Sequence, residues 1–105
     1  MKTLPVTLPV RLDEEMLDVF LETLSSYLTA CCSMNPCNEY NEFHEIIVAS
    51  SDCAEAVASV DFDGMTTIWF RFKNTTEGFM WYTHVYLKYI RPRFREIIDN
   101  SFRLN

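Results

Sequence analysis

The sequence predicts an α+β domain in which helices cover one face of an antiparallel meander of four to five strands. Three observations predict this fold: an amphipathic helical pattern over residues 13–32, several short β-rich segments separated by turn residues, and a second helical pattern near the C-terminus. The chain has 105 residues, of which 49% are hydrophobic and 14% aromatic. That length suits one domain, residues 1–105, with a core of its own.

The first ten residues are predicted to form an edge strand. Leu4, Val6, Leu8 and Val10 fall on one side of an extended chain, which is the period of a half-buried strand. Pro5 and Pro9 fall on the opposite parity, so both missing N–H donors lie along one edge of the strand. We therefore expect this strand to pair through its other edge only and to end the sheet.

Residues 13–32 show the clearest helical pattern. Asp13 is suited to cap the helix, and the acidic Glu14 and Glu15 suit the positive end of its dipole. Apolar side chains recur along one face of the helical wheel, namely Met16, Phe20, Leu24, Tyr27 and Cys31. Because the opposite arc is polar and mostly acidic, we expect a long amphipathic helix that packs one face against the sheet.

The middle of the chain is predicted to alternate between turns and strands. We interpret Ser33–Asn41 as a loop, since it contains an Asn-Pro pair, and Asp63-Gly64 as a hairpin turn. The predicted strands are Phe43–Ala49, Val57–Phe62 and Thr66–Lys73.

Alternation predicts which side chains of two of these strands share a face. Val60 and Phe62 lie on one face of the strand before the hairpin turn, together with Ala58. The strand after the turn places Ile68, Phe70 and Phe72 on one face, which we expect to point into the core.

The C-terminal part of the chain permits two interpretations. Residues 79–86 are aromatic and β-rich, which favours a strand, followed by a helix over about residues 91–103 with Pro92 in its first turn. Helical spacing also continues back from that helix, which favours one kinked helix from about Thr83 onward. Because a proline inside a helix costs about 3 kcal/mol, the strand followed by a helix is preferred.

Composition excludes several classes of protein. The two glycines are too few for a glycine-rich phosphate loop or a dinucleotide-binding motif. No signal peptide or membrane-spanning run is visible, so we expect a cytoplasmic protein without membrane contact, whose four cysteines are reduced thiols.

Charge is divided unevenly along the chain. The net charge is −6, but residues 1–63 hold twelve acidic and two basic residues, while residues 64–105 hold three acidic and seven basic ones. Because phosphates repel an acidic chain at long range, we expect no direct nucleic-acid binding. An acidic front half is better suited to binding a basic protein.

The acidic arc of the helix is the predicted binding surface. Glu14, Asp18 and Glu22 recur at every fourth position, where like charges destabilise a helix by a few tenths of a kcal/mol per pair. No lysine or arginine lies between residues 13 and 40 to offset them. The predicted partner-binding residues are Glu14, Glu15, Asp18, Glu22, Glu39 and Glu42.

Other constellations favour packing over chemistry. Cys31, Cys37, His44 and Cys53 lie close together in sequence, but they lack the paired C-x-x-C spacing of a zinc site. No local motif joins either histidine to a cysteine as base and nucleophile. We therefore expect no catalytic residue, metal or other cofactor, although whether these thiols bind a metal stays open.

In size and charge alone, the chain is similar to small acidic proteins that neutralise nucleic-acid-handling enzymes, such as phage-encoded anti-CRISPR proteins and the immunity proteins of toxin nucleases. This similarity implies a non-catalytic inhibitor with a basic protein partner. The first alternative is a ligand-binding domain or enzyme with an aromatic pocket between sheet and helices, lined by Trp69, Trp81, Tyr82 and Tyr86. The second is a subunit of a homo-oligomer, such as a homodimer.

Overall fold

Five strands form one antiparallel sheet in the computed structural model, which describes residues 1–101. They are β1 (Lys2–Thr7), β2 (Asn35–Tyr40), β3 (Ile46–Ser50), β4 (Ala54–Val60) and β5 (Thr66–Phe72). Their order across the sheet is β1-β5-β4-β3-β2, and each neighbouring pair is antiparallel. The predicted α+β meander is confirmed, with the N-terminal strand at one edge.

Strand β1 lies at the edge of the sheet as its sequence predicted, but it is shorter than predicted and ends at Thr7, before Pro9 and the exposed Val10. It pairs with β5 alone, and Pro5 lies near the middle of that pairing, opposite Trp69. The Leu8 amide extends the pairing by donating to the carbonyl of Thr66 at 2.8 Å, and the Leu8 side chain is fully buried. Pro9 follows the strand, so Pro5 is the one residue of β1 that lacks an amide hydrogen-bond donor.

The long helix α1 (Glu14–Cys32) confirms the second prediction. Its N-cap is Asp13, whose Oδ1 accepts the Met16 amide hydrogen at 2.8 Å. The helix ends where Ser33 adopts a left-handed conformation with φ of 55° and donates its amide hydrogen to the Leu28 carbonyl. Phe20 and Leu24 are buried as predicted, while Met16 and Tyr27 are half-buried.

The prediction that Cys31 lies on the buried face of α1 is wrong. The fully or nearly fully buried residues Phe20, Leu24, Leu28 and Cys32 follow one another at steps of four. Because an α-helix has 3.6 residues per turn, a step of four residues exceeds one full turn by about 40°. By the last turn the buried line has therefore moved from Cys31, which is exposed, to Cys32.

The predicted loop at Ser33–Asn41 contains strand β2, so that prediction is wrong. β2 pairs only with β3, and its register shifts between Pro36 and Glu39, where Asn38 has a left-handed φ of 61°. Most of its side chains are exposed because it is an edge strand. The apolar alternation that marks a half-buried strand is consequently missing from its sequence.

Two strands occupy shorter or shifted ranges than predicted. β3 begins only at Ile46, because residues 41–45 form the turn between β2 and β3. β4 ends at Val60, and the predicted Asp63-Gly64 turn lies within the β4–β5 turn, residues 61–65. Val60 and Phe62, expected on a strand face, are therefore exposed at or near that turn.

The preferred prediction of a strand over residues 79–86 is also wrong: a continuous helical region is observed, as in the alternative, but it begins earlier than Thr83, at Thr76. Helix α2 (Thr76–Trp81) continues into a π-helical segment (Tyr82–Ile90) and then into α3 (Arg91–Ser101). This segment has wider turns: the Arg91 amide donates to the Tyr86 carbonyl, five residues earlier. Residues 102 and 103 of the predicted helix lie outside the described residues.

The wider turns give a physical reason why Pro92 is tolerated inside a continuous helix. In an α-helix the proline ring meets the carbonyl of the fourth residue before it. That residue, Lys88, lies in the π-helical segment, where hydrogen bonds reach back five residues. The widened hydrogen-bond pattern therefore reduces the clash on which the penalty assumed from sequence depends.

The core lies between the sheet and the helices. Ile68, Phe70 and Phe72 of β5 are buried on this face as predicted. Small side chains fill the same face of β4, with Ala54, Ala56 and Ala58 all buried, which lets the helices approach closely. Helix α1 packs over β2 and β3, and the C-terminal helical region packs on β5 and on α1.

Gly78 fixes how closely α2 follows the end of β5. A Cβ atom at this position would lie 1.8 Å from the backbone carbonyl oxygen of Lys73, which has no room to move away as a side chain does. The helix cap also depends on this position, since the Thr75 hydroxyl accepts the Gly78 amide hydrogen at 3.2 Å.

We expect Gly78→Ala to lower the free energy of unfolding by about 1–3 kcal/mol, because the added methyl group forces the helix away from the sheet. Urea denaturation followed by circular dichroism measures the change. The control is Met80→Ala on the same helix, where an exposed side chain is removed and a change within about 0.5 kcal/mol is expected. Equal stability of the two variants would contradict the role given to Gly78.

Candidate functional site

A groove with a volume of about 560 Å³ runs between α1 and the edge strand β2. Helix α1 contributes Asp18, Glu22 and Ser25 to its wall, and β2 contributes Asn38 and Tyr40. Its floor is apolar, formed by Leu21, Ile46 and Val48. The groove thus combines an acidic wall with an apolar floor.

Local sequence explains how each wall is held. Asp18 and Glu22 are one turn apart on α1, so both project from the same side of the helix. The helix is tied to the sheet by the Ser25 hydroxyl, which donates to the carbonyl of Val48 at 3.3 Å. Tyr40 ends β2 opposite Ile46, which places both side chains on the helix-covered side of the sheet.

The acidic wall of the groove has no compensating charge. No lysine, arginine or histidine is among the residues that line it. Within residues 1–101, neither Asp18 nor Glu22 forms an ion pair, since the ion pairs of this part of the chain involve Arg71 and Arg95. The negative potential of the groove is therefore available to a ligand or partner.

The six predicted binding residues are all exposed, but the structure gathers only some of them. Asp18 and Glu22 line the groove, and Glu14 and Glu15 form the first turn of the same helix. Glu39 pairs opposite Ile47, which places it on the uncovered face of the sheet, away from the groove.

The sixth predicted binding residue, Glu42, lies in the β2–β3 turn, at the end of the sheet. Tyr40 and Ile46 belong to the groove, but sequence reasoning missed both. The signal that would have revealed them is the pairing of β2 with β3, which the polar sequence of β2 concealed.

A separate charged cluster occupies the uncovered face of the sheet. The Arg71 guanidinium donates to both carboxylate oxygens of Glu45, at 2.8 and 3.1 Å, and lies 3.7 Å from Glu55. Asn41 Nδ2 donates to Glu45 Oε1 at 3.0 Å. The hydrogen bonds from Arg71 are the largest of the effects that hold the pKa of Glu45 below its ordinary value. This pairing occupies Glu45, so it adds little to the field of the groove.

The cysteine thiols differ in their burial. Within the described part of the chain, no group of three or more cysteine, histidine, aspartate or glutamate residues is placed to hold a metal ion. Cys31 is exposed, whereas Cys37 and Cys53 are half-buried. Burial raises the pKa of the Cys32 thiol to about 11, so this thiol stays protonated and unreactive near neutral pH.

The aromatic pocket suggested as an alternative does not form as predicted. Trp69 lies on the uncovered face, where its indole N–H donates to the Ser59 hydroxyl at 2.8 Å. Trp81 and Tyr86 lie on the other face of the sheet and stack with ring centroids 6.2 Å apart. Tyr82 packs on Phe72 there, with centroids 5.1 Å apart. The four predicted lining residues are thus divided between the two faces.

Comparison with known proteins adds no relatives. No family model matches the sequence, no curated protein is similar to it, and no solved structure matches it significantly. Over residues 1–101, none of the helices combines the length and the apolar character needed to cross a membrane.

The Arg71–Glu45 pair predicts a pH dependence of stability. The pKa of Glu45 is lowered in the folded protein, so the pair stabilises the fold fully above about pH 4.5, the ordinary value for glutamate, and loses this contribution as the pH falls through the lowered pKa. We expect the stability difference between wild type and Glu45→Gln to be constant near neutral pH and to shrink below about pH 4.5.

Urea denaturation across this pH range measures the difference. Glu42→Gln is the matched control, because Glu42 is exposed in the same turn and forms no ion pair within residues 1–101. If Glu45→Gln follows the same pH profile as the wild type, the pair does not stabilise the fold.

Proposed function

We propose that this chain is a non-catalytic inhibitor that binds a basic, nucleic-acid-handling protein and occupies the surface where that protein takes phosphates. The observation that carries the proposal is the groove between α1 and β2, whose acidic wall has no compensating charge. A nuclease or a nucleoprotein defence complex is the class of partner with such a basic surface. We also propose that the inhibitor acts in the cytoplasm, either against a defence complex or as an immunity protein against a toxin.

The chemistry of the groove supports a protein partner. Carboxylates such as Asp18 and Glu22 accept charge-assisted hydrogen bonds from arginine and lysine, as phosphates do. The apolar floor provides area that can be buried around those bonds, which strengthens them by excluding water. Nucleic acid itself is disfavoured as the ligand, because its phosphates would face the same carboxylates.

The cost of the acidic surface is a second argument for a partner. Glu14, Asp18 and Glu22 repel one another along α1, and no lysine or arginine lies between residues 13 and 40 to relieve them. These charges lower the stability of the helix, but they would also accelerate its association with a partner that has a basic surface. That gain explains why such an arrangement is kept. Association should then slow with added salt, because salt screens exposed charges.

Three of the arginines lie away from the acidic groove. Arg91 and Arg95 border a small hollow between β1 and α3, at the sheet edge opposite β2. Arg71 lies on the uncovered face and is paired with carboxylates. Arg91 and Arg95 are therefore separated from the acidic groove by the width of the sheet.

We expect the double variant Asp18→Lys/Glu22→Lys to fold normally and to bind the partner more weakly by about 2–5 kcal/mol. Both side chains are exposed, so the fold does not depend on them. The partner is captured from host cells on immobilised wild-type protein and identified by mass spectrometry, and its affinity is then measured by biolayer interferometry at low and high salt.

The matched control is Asp52→Lys/Glu96→Lys, which changes the net charge equally at two exposed positions outside the groove. It should keep most of the affinity. The proposal fails if no basic protein is captured, or if the partner binds the groove variant as tightly as the wild type at both salt concentrations.

A further inference from the structure

Two neighbouring turns of the sheet each expose a phenylalanine. Phe43, in the β2–β3 turn, is 70% exposed, and Phe62, in the β4–β5 turn, is completely exposed at 108%. Because β3 and β4 pair from Ile46 opposite Ala58, the turn before β3 and the turn after β4 lie at the same end of the sheet. We call this pair of side chains the phenylalanine tip.

Both turns are held by the same kind of side-chain contact. In the β2–β3 turn, Asn41 Oδ1 accepts the amide hydrogens of Phe43 at 2.9 Å and Glu45 at 3.0 Å. In the β4–β5 turn, Asp61 Oδ1 accepts those of Asp63 and Met65, both at 2.9 Å. The backbone that carries each phenylalanine is therefore braced from within.

Left-handed residues complete each turn and leave the rings outside. His44 has φ of 60° and Gly64 has φ of 80°. The Arg11 side chain lies over Gly64, and its Cδ would be 3.3 Å from a Cβ at that position. The Arg11 side chain therefore covers Gly64 but leaves the Phe62 ring fully exposed.

Aromatic side chains, phenylalanine included, are enriched in protein interfaces. A single exposed apolar residue is ordinary, but two phenylalanines at one end of a sheet, on turns that usually favour polar residues, leave an apolar area that a partner can bury. Because the turns are already ordered, little flexibility is lost when the rings are buried.

We propose that the phenylalanine tip inserts into apolar pockets of a partner protein, and that basic residues rim those pockets. Carboxylates flank both rings directly in sequence: Glu42 precedes Phe43, and Asp61 and Asp63 enclose Phe62. A cationic rim complements them. This inference rests on the proposed function and names a second contact with the same partner, since Tyr40 of the acidic groove adjoins the β2–β3 turn.

The flanking carboxylates favour a protein over a membrane. Insertion of either ring into a bilayer would bring Glu42, Asp61 and Asp63 to headgroups that are neutral or anionic, at an electrostatic and desolvation cost. A protein pocket can supply arginine or lysine at its rim and avoid that cost.

Affinity for the captured partner tests the tip separately from the groove. Phe43→Ala and Phe62→Ala should each weaken binding by about tenfold or more, with the loss retained at high salt because apolar burial is not screened. The control Met80→Ala removes an exposed apolar side chain from α2, outside both turns, and should leave affinity unchanged. Circular dichroism verifies that all three variants fold.

The possible outcomes separate the two proposals. If the groove variant loses binding but both phenylalanine variants bind like the wild type, this inference is overturned and the proposed function stands. If no basic protein binds the wild type, both are overturned. Dimers seen by analytical ultracentrifugation that depend on Phe43 and Phe62 would overturn the inference in favour of a second copy of the chain.

Defined probes provide an independent readout. Amino-substituted β-cyclodextrin has an apolar cavity rimmed by ammonium groups, and in NMR titrations it should perturb the rings of Phe43 and Phe62 at lower concentration than neutral β-cyclodextrin does. No preference for the cationic host, or an equal preference at the half-exposed Phe79, would overturn the inference. So would cosedimentation with phosphatidylcholine vesicles, with or without phosphatidylserine, that depends on the two phenylalanines.

Discussion

Three phenylalanine rings connect the sheet to helix α1 and to the C-terminal helical region. Phe70 of β5 meets Phe94 of α3 edge to face, with ring centroids 5.5 Å apart, and Phe94 meets Phe20 of α1 in the same manner at 6.4 Å. Phe20 and Phe70 are fully buried, and Phe94 is 5% exposed. This contact fixes where α1 lies over β2 and β3, and the groove exists only because α1 is held there.

The π-helical segment follows from the same requirement. The C-terminal helical region must run from the end of β5 back across the sheet to bring Phe94 onto Phe70, and Pro92 lies within that path. Wider turns before the proline allow the helix to continue. The Tyr27 hydroxyl of α1 donates to the carbonyl of Tyr89 at 2.5 Å, so a hydrogen bond also joins α1 to this segment.

This packing produces a chain with distinct electrostatic sides. The β2 edge carries the acidic groove, the β1 edge carries Arg91 and Arg95 of α3, and Arg71 is paired on the uncovered face. Acidic and aromatic side chains meet at the end of the sheet where the β2–β3 and β4–β5 turns lie. Tyr40 of the groove adjoins the β2–β3 turn that carries Phe43, so the groove reaches the end of the sheet where the phenylalanine tip lies.

Local patterns in the sequence determined the cap at Asp13, the alternation of β5, the edge character of β1 and the acidic arc of α1, because each depends on residues only a few positions apart. Tertiary structure alone decided that the polar residues 35–40 form a strand and that the aromatic residues 79–90 are helical. It also brought Asp18 and Glu22 together with Tyr40 while turning Glu39 to the other face. These outcomes depend on strand register and helix docking, which join residues far apart in sequence and override local propensity.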